Sequence, residues 1–149
     1  MAKFDEKNNK TMAVGMSATL SGTTPAKGNI VDLKDHEAAT FYLQTGTVTD
    51  AGDATGFSVE IQESDTTADA AFTAVADGNL IGLESALQVT LDTADTVPVG
   101  TIGYRGTKRY VRAVVTGSTG TNAIVLGTWT LSRAKVSPPA ATMTSIAAT

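Results

Sequence analysis

The sequence predicts an all-β protein, an antiparallel β-sandwich with jelly-roll connections as one form of it, carrying extended N- and C-terminal arms. Three observations carry this prediction. Short runs alternate apolar and polar residues with a period of two, and clusters of Gly, Asp, Asn and Thr separate them at intervals usual for a sandwich or barrel. The chain holds 25 Thr, 22 Ala and 14 Gly but only 5% aromatic residues, a mixture of small and β-branched side chains rather than of Leu-rich helices. Its 149 residues match one domain, and 42% hydrophobic against 17% charged residues are enough to bury a core.

Residues 1–27 open with mixed charges, become small and polar, and end in Ser21-Gly22-Thr23-Thr24-Pro25 with no sustained apolar period. They are read as an N-terminal arm, with the sandwich over 28–134 and a C-terminal tail over 135–149, where Pro138-Pro139 stops the last strand. Within the sandwich the first strands are Gly28 to Leu33 and Ala39 to Val48, and turn chemistry fills Asp50 to Gly56. Gly56 to Glu63 alternates most cleanly, with Phe57, Val59 and Ile61 inward and Ser58, Glu60 and Gln62 toward water. Phe72 to Val75 leads to the turn Asp77-Gly78-Asn79. Leu87, Val89 and Leu91 repeat the period of two, while Leu80 to Leu87 also suits a helical turn. Ile102 to Arg105, Arg109 to Thr116 and Ala123 to Ser132 complete the set, and Trp129 shares an inward face with Ala123, Val125, Gly127 and Leu131. The expected core contains Phe57, Val59, Ile61, Leu87, Val89, Val125 and Trp129.

Function classes narrow quickly. There is no cysteine, hence no disulfide, thiolate metal site or cysteine nucleophile. Met12 to Leu20 is too short and too interrupted for a membrane span, and its mixed-charge flank is unlike an export signal. The only histidine, His36, lies in the polar stretch Leu33 to Glu37 without a Gly-x-Ser-x-Gly elbow, so a solvated loop histidine is the ordinary reading and no enzyme is expected. Asp50 with Asp53, or Asp65 with Asp69, lack the spacing of a calcium loop, and Gly22 to Gly28 lacks that of a phosphate loop. Neither metal nor cofactor is expected.

Charge is segregated: residues 51–100 hold nine acids and no Lys or Arg, residues 101–149 six bases and no acid. The segment Gly103 to Val115 concentrates Arg105, Lys108, Arg109 and Arg112 with Tyr104 and Tyr110. Such a stripe can hold phosphates and stack bases, but a net charge of −4 argues against nucleic acid. A hairpin turning at Gly106-Thr107, its arginines paired with acids of the same or a neighbouring subunit, is the preferred reading.

The strings GYRGTKRYVRAVV, FSVEIQESDTTADAAFTAVAD and ATFYLQTGTVTD resemble a family of small tailed-bacteriophage virion proteins. The residues carrying the resemblance are Glu63, Ser64 and Asp65, then Phe72 to Val75, then Tyr104 to Arg112, within residues 30–133. It implies a decoration or cement protein on the capsid exterior that binds the major capsid protein, forms a homo-oligomer such as a trimer, and has no active site. It would reside in the host cytoplasm only during assembly. A head-tail or tail component and a carbohydrate-adhesion module are the alternatives. The expected interface residues are Met12, Val14, Met16 and Leu20 in the N-terminal arm, because an arm that orders on contact must bury apolar atoms. Tyr104, Arg105, Lys108, Arg109 and Arg112 join them from the basic strand.

Overall fold

The computed structural model describes residues 7–135 and the backbone of 145–146. Two antiparallel sheets enclose one core. The first is built from β1 (Lys10–Ser21), β4 (His36–Asp50), β7 (Leu80–Ile81), β8 (Pro98–Tyr104) and β10 (Asn122–Ala134), in the order β1-β10-β4-β8-β7. The second holds β3 (Ile30–Asp32), β5 (Ser58–Ser64), β6 (Thr73–Ala74), β9 (Tyr110–Thr116) and β11 (Ser145–Ile146), in the order β11-β3-β9-β5-β6, with β2 (Ala26–Lys27) also on β9. Taking β1, β3, β4, β5, β6, β8, β9 and β10 as first to eighth, the two sheets run 1-8-3-6 and 2-7-4-5, the interlocked Greek keys of a jelly roll. Helix is confined, among the described residues, to three 3₁₀ turns at Asp69–Ala71, Asp77–Asn79 and Glu84–Leu87.

The expected core is found. Phe57, Val59, Ile61, Leu87, Val89, Val125 and Trp129 are all buried, and the Trp129 ring meets Phe41 with centroids 5.2 Å apart at 50°. This aromatic pair needs glycine beside it. A Cβ on Gly127 would stand 2.5 Å from the Phe41 ring, and one on Gly15 2.9 Å from both rings. Small residues in β1 and β10 are therefore the counterpart of large ones in β4 and β10.

Four expectations are corrected. The hairpin expected to turn at Gly106-Thr107 does not form, because β8 and β9 lie in different sheets and the segment between them crosses from one sheet to the other. The N-terminal arm does not hold for residues 10–27, since Lys10–Ser21 pair along their whole length with β10, from Lys10 opposite Ser132 to Ser21 opposite Asn122. A bulge between Val14 and Met16 shifts the register there, so Thr11 and Ala13 point inward before it and Met16 and Leu20 after it. Residues 1–6 of that arm lie outside the described residues. The C-terminal tail is not wholly free of the sandwich, because Ser145 and Ile146 pair with Val31 and Ile30; residues 136–144 and 147–149 lie outside the described residues. Leu91 is exposed rather than inward, since the segment pairs with the sheet only through the single bridge of Phe57 with Val89 and no strand continues past it.

Candidate interaction surfaces

The outer faces of the two sheets differ in chemistry. On the first sheet the outward residues of β1 are Met12, Val14, Ser17 and Thr19, and β10 adds Ile124, Leu126, Thr128 and Thr130 beside them. Thr40, Tyr42 and Gln44 of β4 and Thr101 and Gly103 of β8 continue the same rows. None of these residues is charged. Met12 is 57% exposed, Val14 48% and Tyr42 42%, with Ile124 and Leu126 close behind. Charge begins only at the ends of the face, with Lys10, Glu37 and Arg133 at one and Asp50 at the other.

The outer face of the second sheet is threaded with ion pairs. Arg112 is buried there under the Phe72 ring, 4.2 Å from its centroid; its Nε donates to Gln62 Oε1 at 2.8 Å and its Nη1 to Asp69. Asp69 also accepts from Lys27 Nζ at 2.6 Å, and these two cations hold its carboxyl below the usual range, Lys27 more strongly. Arg109 grips Asp32 with two bonds of 3.0 and 2.7 Å, which lowers the Asp32 pKa in the same way. Lys108 Nζ meets Asp65 at 2.5 Å, and each moves the other toward its charged form. Tyr104 is buried with its hydroxyl donating to Glu63 at 2.5 Å; burial and that carboxylate push its pKa far up.

The nine expected interface residues thus divide. Met12 and Val14 lie on the uncharged face, although as strand residues rather than as part of an arm. Met16 and Leu20 are core residues, because the bulge turns them inward, and they are withdrawn as contacts. Tyr104 and Arg112 are buried and engaged within the chain, so they too are withdrawn. Lys108 and Arg109 are exposed but paired with Asp65 and Asp32, while Arg105 is exposed with its backbone N–H on Asn79. The sequence reading missed Tyr42, Ile124, Leu126 and their Thr neighbours. Their signal was available in the outward positions of two predicted strands, where apolar residues and Thr stand in place of the expected charges.

Among the described residues no group of three or more His, Asp or Glu is placed to hold a metal ion, and no helix is long and apolar enough to cross a membrane. No protein-family model, curated protein or solved structure matches the chain.

Proposed function

We propose that the chain is a bacteriophage capsid decoration, or cement, protein that seats the outer face of its first sheet on the exterior of the assembled head and bridges neighbouring capsomers. The major capsid protein would be its partner, with copies of the chain adjoining as a homo-oligomer. The observation that carries the reading is the asymmetry of the sandwich, one face without charge and the other laced with ion pairs. Burying a charge costs several kcal/mol unless it is paired, whereas a face of Thr, Val, Leu and Met sheds water at little cost. The cheap face is the one built to be covered, and the partner it suits is an uncharged surface. The jelly-roll order also occurs in capsid domains, an analogy of fold alone.

Size adds a second constraint. Four strands about 4.8 Å apart and about 3.3 Å of rise for each residue from Met12 to Thr19 give a footprint of roughly 440 Å². A stable pairwise complex covers about 800 Å² on each partner, so one face is about half of one. Repetition on a lattice, where neighbouring copies raise each other's effective concentration, supplies the remainder. The basic segment supports protein over nucleic acid, since Lys108, Arg109 and Arg112 each already hold a carboxylate.

The test is co-sedimentation of the purified chain with expanded capsids that lack decoration. Val14→Lys and Leu126→Lys are expected to keep stability within about 0.5 kcal/mol, being exposed positions, and to lower capsid binding tenfold or more. Binding left intact by both substitutions would overturn the assignment of the face. Failure of the wild-type chain to bind capsids, with micromolar, steeply salt-dependent binding to DNA, would overturn the function.

A further inference from the structure

Three features meet at the turn between β3 and β4, at the end of the sandwich away from the centre of the docking face. His36, the only histidine, has both ring nitrogens closed off from solvent and without a hydrogen-bond partner. A cavity of about 390 Å³ lies against it, lined also by Leu33, Ala39, Tyr104, Thr107 and Lys135. Opposite, the end of β10 stays in register with β4, Ser132 with Ala38 and Ala134 with His36, but Arg133 between them has φ 55°, a left-handed conformation that strains a non-glycine residue.

We infer that this corner is an acid-sensitive latch, in which protonation of His36 turns its ring into the cavity and releases the end of β10 from β4. A neutral imidazole without partners is already unfavourable, and the imidazolium adds a second donor and a full charge that the closed site cannot satisfy. The groups facing it offer little relief. On its own turn are Lys34, Asp35 and Glu37, and Glu37 is met by Arg133 at 3.5 Å. From the loop before β9 come Lys108 and Arg109, from the end of β5 Asp65, and the two cations there are matched to Asp65 and Asp32. Lys135 contributes another positive charge. Asp35 alone favours the charged ring, and burial outweighs it, so the pKa lies below the ordinary value. Water in the cavity is the remaining source of partners, and reaching it requires the ring to move.

The bonds that would open can be named. His36 N donates to Leu33 O at 3.0 Å, Lys135 N to Asp35 O at 2.9 Å, and Lys135 Nζ to Lys34 O at 2.8 Å. Opening also frees Arg133 from its strained backbone, which offsets part of their loss. The open form has the ordinary histidine pKa of about 6.5 and the closed form a lower one, so the closed form binds fewer protons. The latch is therefore fully closed above about pH 6.5 and weakens as pH falls, its opening constant growing up to about tenfold per pH unit until the closed-state pKa is passed.

A single histidine makes the test direct. Titration of the His36 Cε1–H resonance in the full chain is expected to show a midpoint below about 6.5. Amide exchange at residues 34–37 and 133–135, corrected for intrinsic chemistry, is expected to show opening constants that rise by up to tenfold per pH unit as pH falls from about 6.5 to that midpoint and level off below it, while the Phe41 and Trp129 amides stay unchanged. His36→Phe should abolish the rise. If that variant does not fold, the wild-type titration and exchange decide alone. A midpoint at or above 6.5, or opening constants indifferent to pH, would overturn the latch.

Discussion

Replacing Gly127 with alanine adds one methyl group where the fold has least room. Its Cβ would lie 2.5 Å from Cε2 and Cζ of Phe41 and 2.9 Å from Cγ of Met16. Carbon atoms rest about 3.5–4.0 Å apart, so the Phe41 ring must retreat by about 1 Å. Phe41 and Trp129 are both fully buried and in contact, which leaves the ring no open side. Overpacking of this kind costs about 1–3 kcal/mol, and the lower entropy of an unfolded chain with alanine returns about 0.4–1. With no open side for the ring the overpacking cost falls in the upper half of its range, so the expected net loss is roughly 1–2.5 kcal/mol, or a fall in Tm of about 3–9 °C in a domain of this size. Urea denaturation followed by the fluorescence of the sole tryptophan measures it. Gly78→Ala is the control, since nothing stands within 4 Å of its Cβ position, and it should be neutral or slightly stabilising. Adding Phe41→Leu to Gly127→Ala should cost less than the same change in the wild-type chain, with a coupling of about 0.5 kcal/mol or more. A Gly127→Ala protein as stable as wild type, with an unchanged denaturant slope, would refute the packing argument.

Gly56 combines a positive φ of 62° with a Cβ position 1.9 Å from Val89 O, the atom that accepts from Phe57 N at 3.0 Å. Gly56→Ala should therefore cost about 2–5 kcal/mol and raise exchange at the Val89 amide, read by denaturation and hydrogen exchange. Asp32 has its pKa lowered by Arg109, so the stability it contributes is complete above its unfolded pKa of about 3.9 and is lost as pH falls through the folded value. Asp32→Asn should flatten the decline of stability between about pH 4 and pH 2, and coincident pH profiles would show that the pair contributes nothing.

Most strands were legible because their alternation is unbroken, as in Phe57, Val59 and Ile61. The first strand was not, and the reason is one residue. Thr11 and Ala13 set one parity and Met16 and Leu20 the other, so a window spanning Gly15 shows no period although each half does. The end of the Leu87, Val89, Leu91 series fails differently, because alternation marks a face only while the chain stays beside a partner strand, and here the pairing is one bridge. The basic segment is not the expected hairpin, since β8 and β9 belong to different sheets and residues 105–109 cross between them, but Lys108, Arg109 and Arg112 do find partners within the chain. What sequence did not show is that Asp69 would reach both Lys27 and Arg112, 42 and 43 residues away, since a 3₁₀ turn rather than a strand presents it.

The allocation of charge explains why the uncharged face exists at all. The nine acids of residues 51–100 cannot meet a base within their own segment. The fold lays β9 beside β5, which brings Arg112 opposite Gln62 and sets the loop before β9 near Asp65. Positive and negative segments thus join on the second sheet, and Lys27 and Asp32 are drawn to the same side from β2 and β3. The long strands of the first sheet are β1, β4, β8 and β10, whose outward positions between the ends carry Ser, Thr, Gln, Tyr and apolar residues but no charge. Thr suits such a face for two reasons. Its branched Cβ favours the strand, and its hydroxyl gives water one weak attachment that a partner's backbone or hydroxyl can replace. A face made this way stays hydrated while free and gives up that hydration cheaply on contact. A Lys at Val14 or Leu126 would change that balance without touching the core, which is why the docking test is placed at those residues.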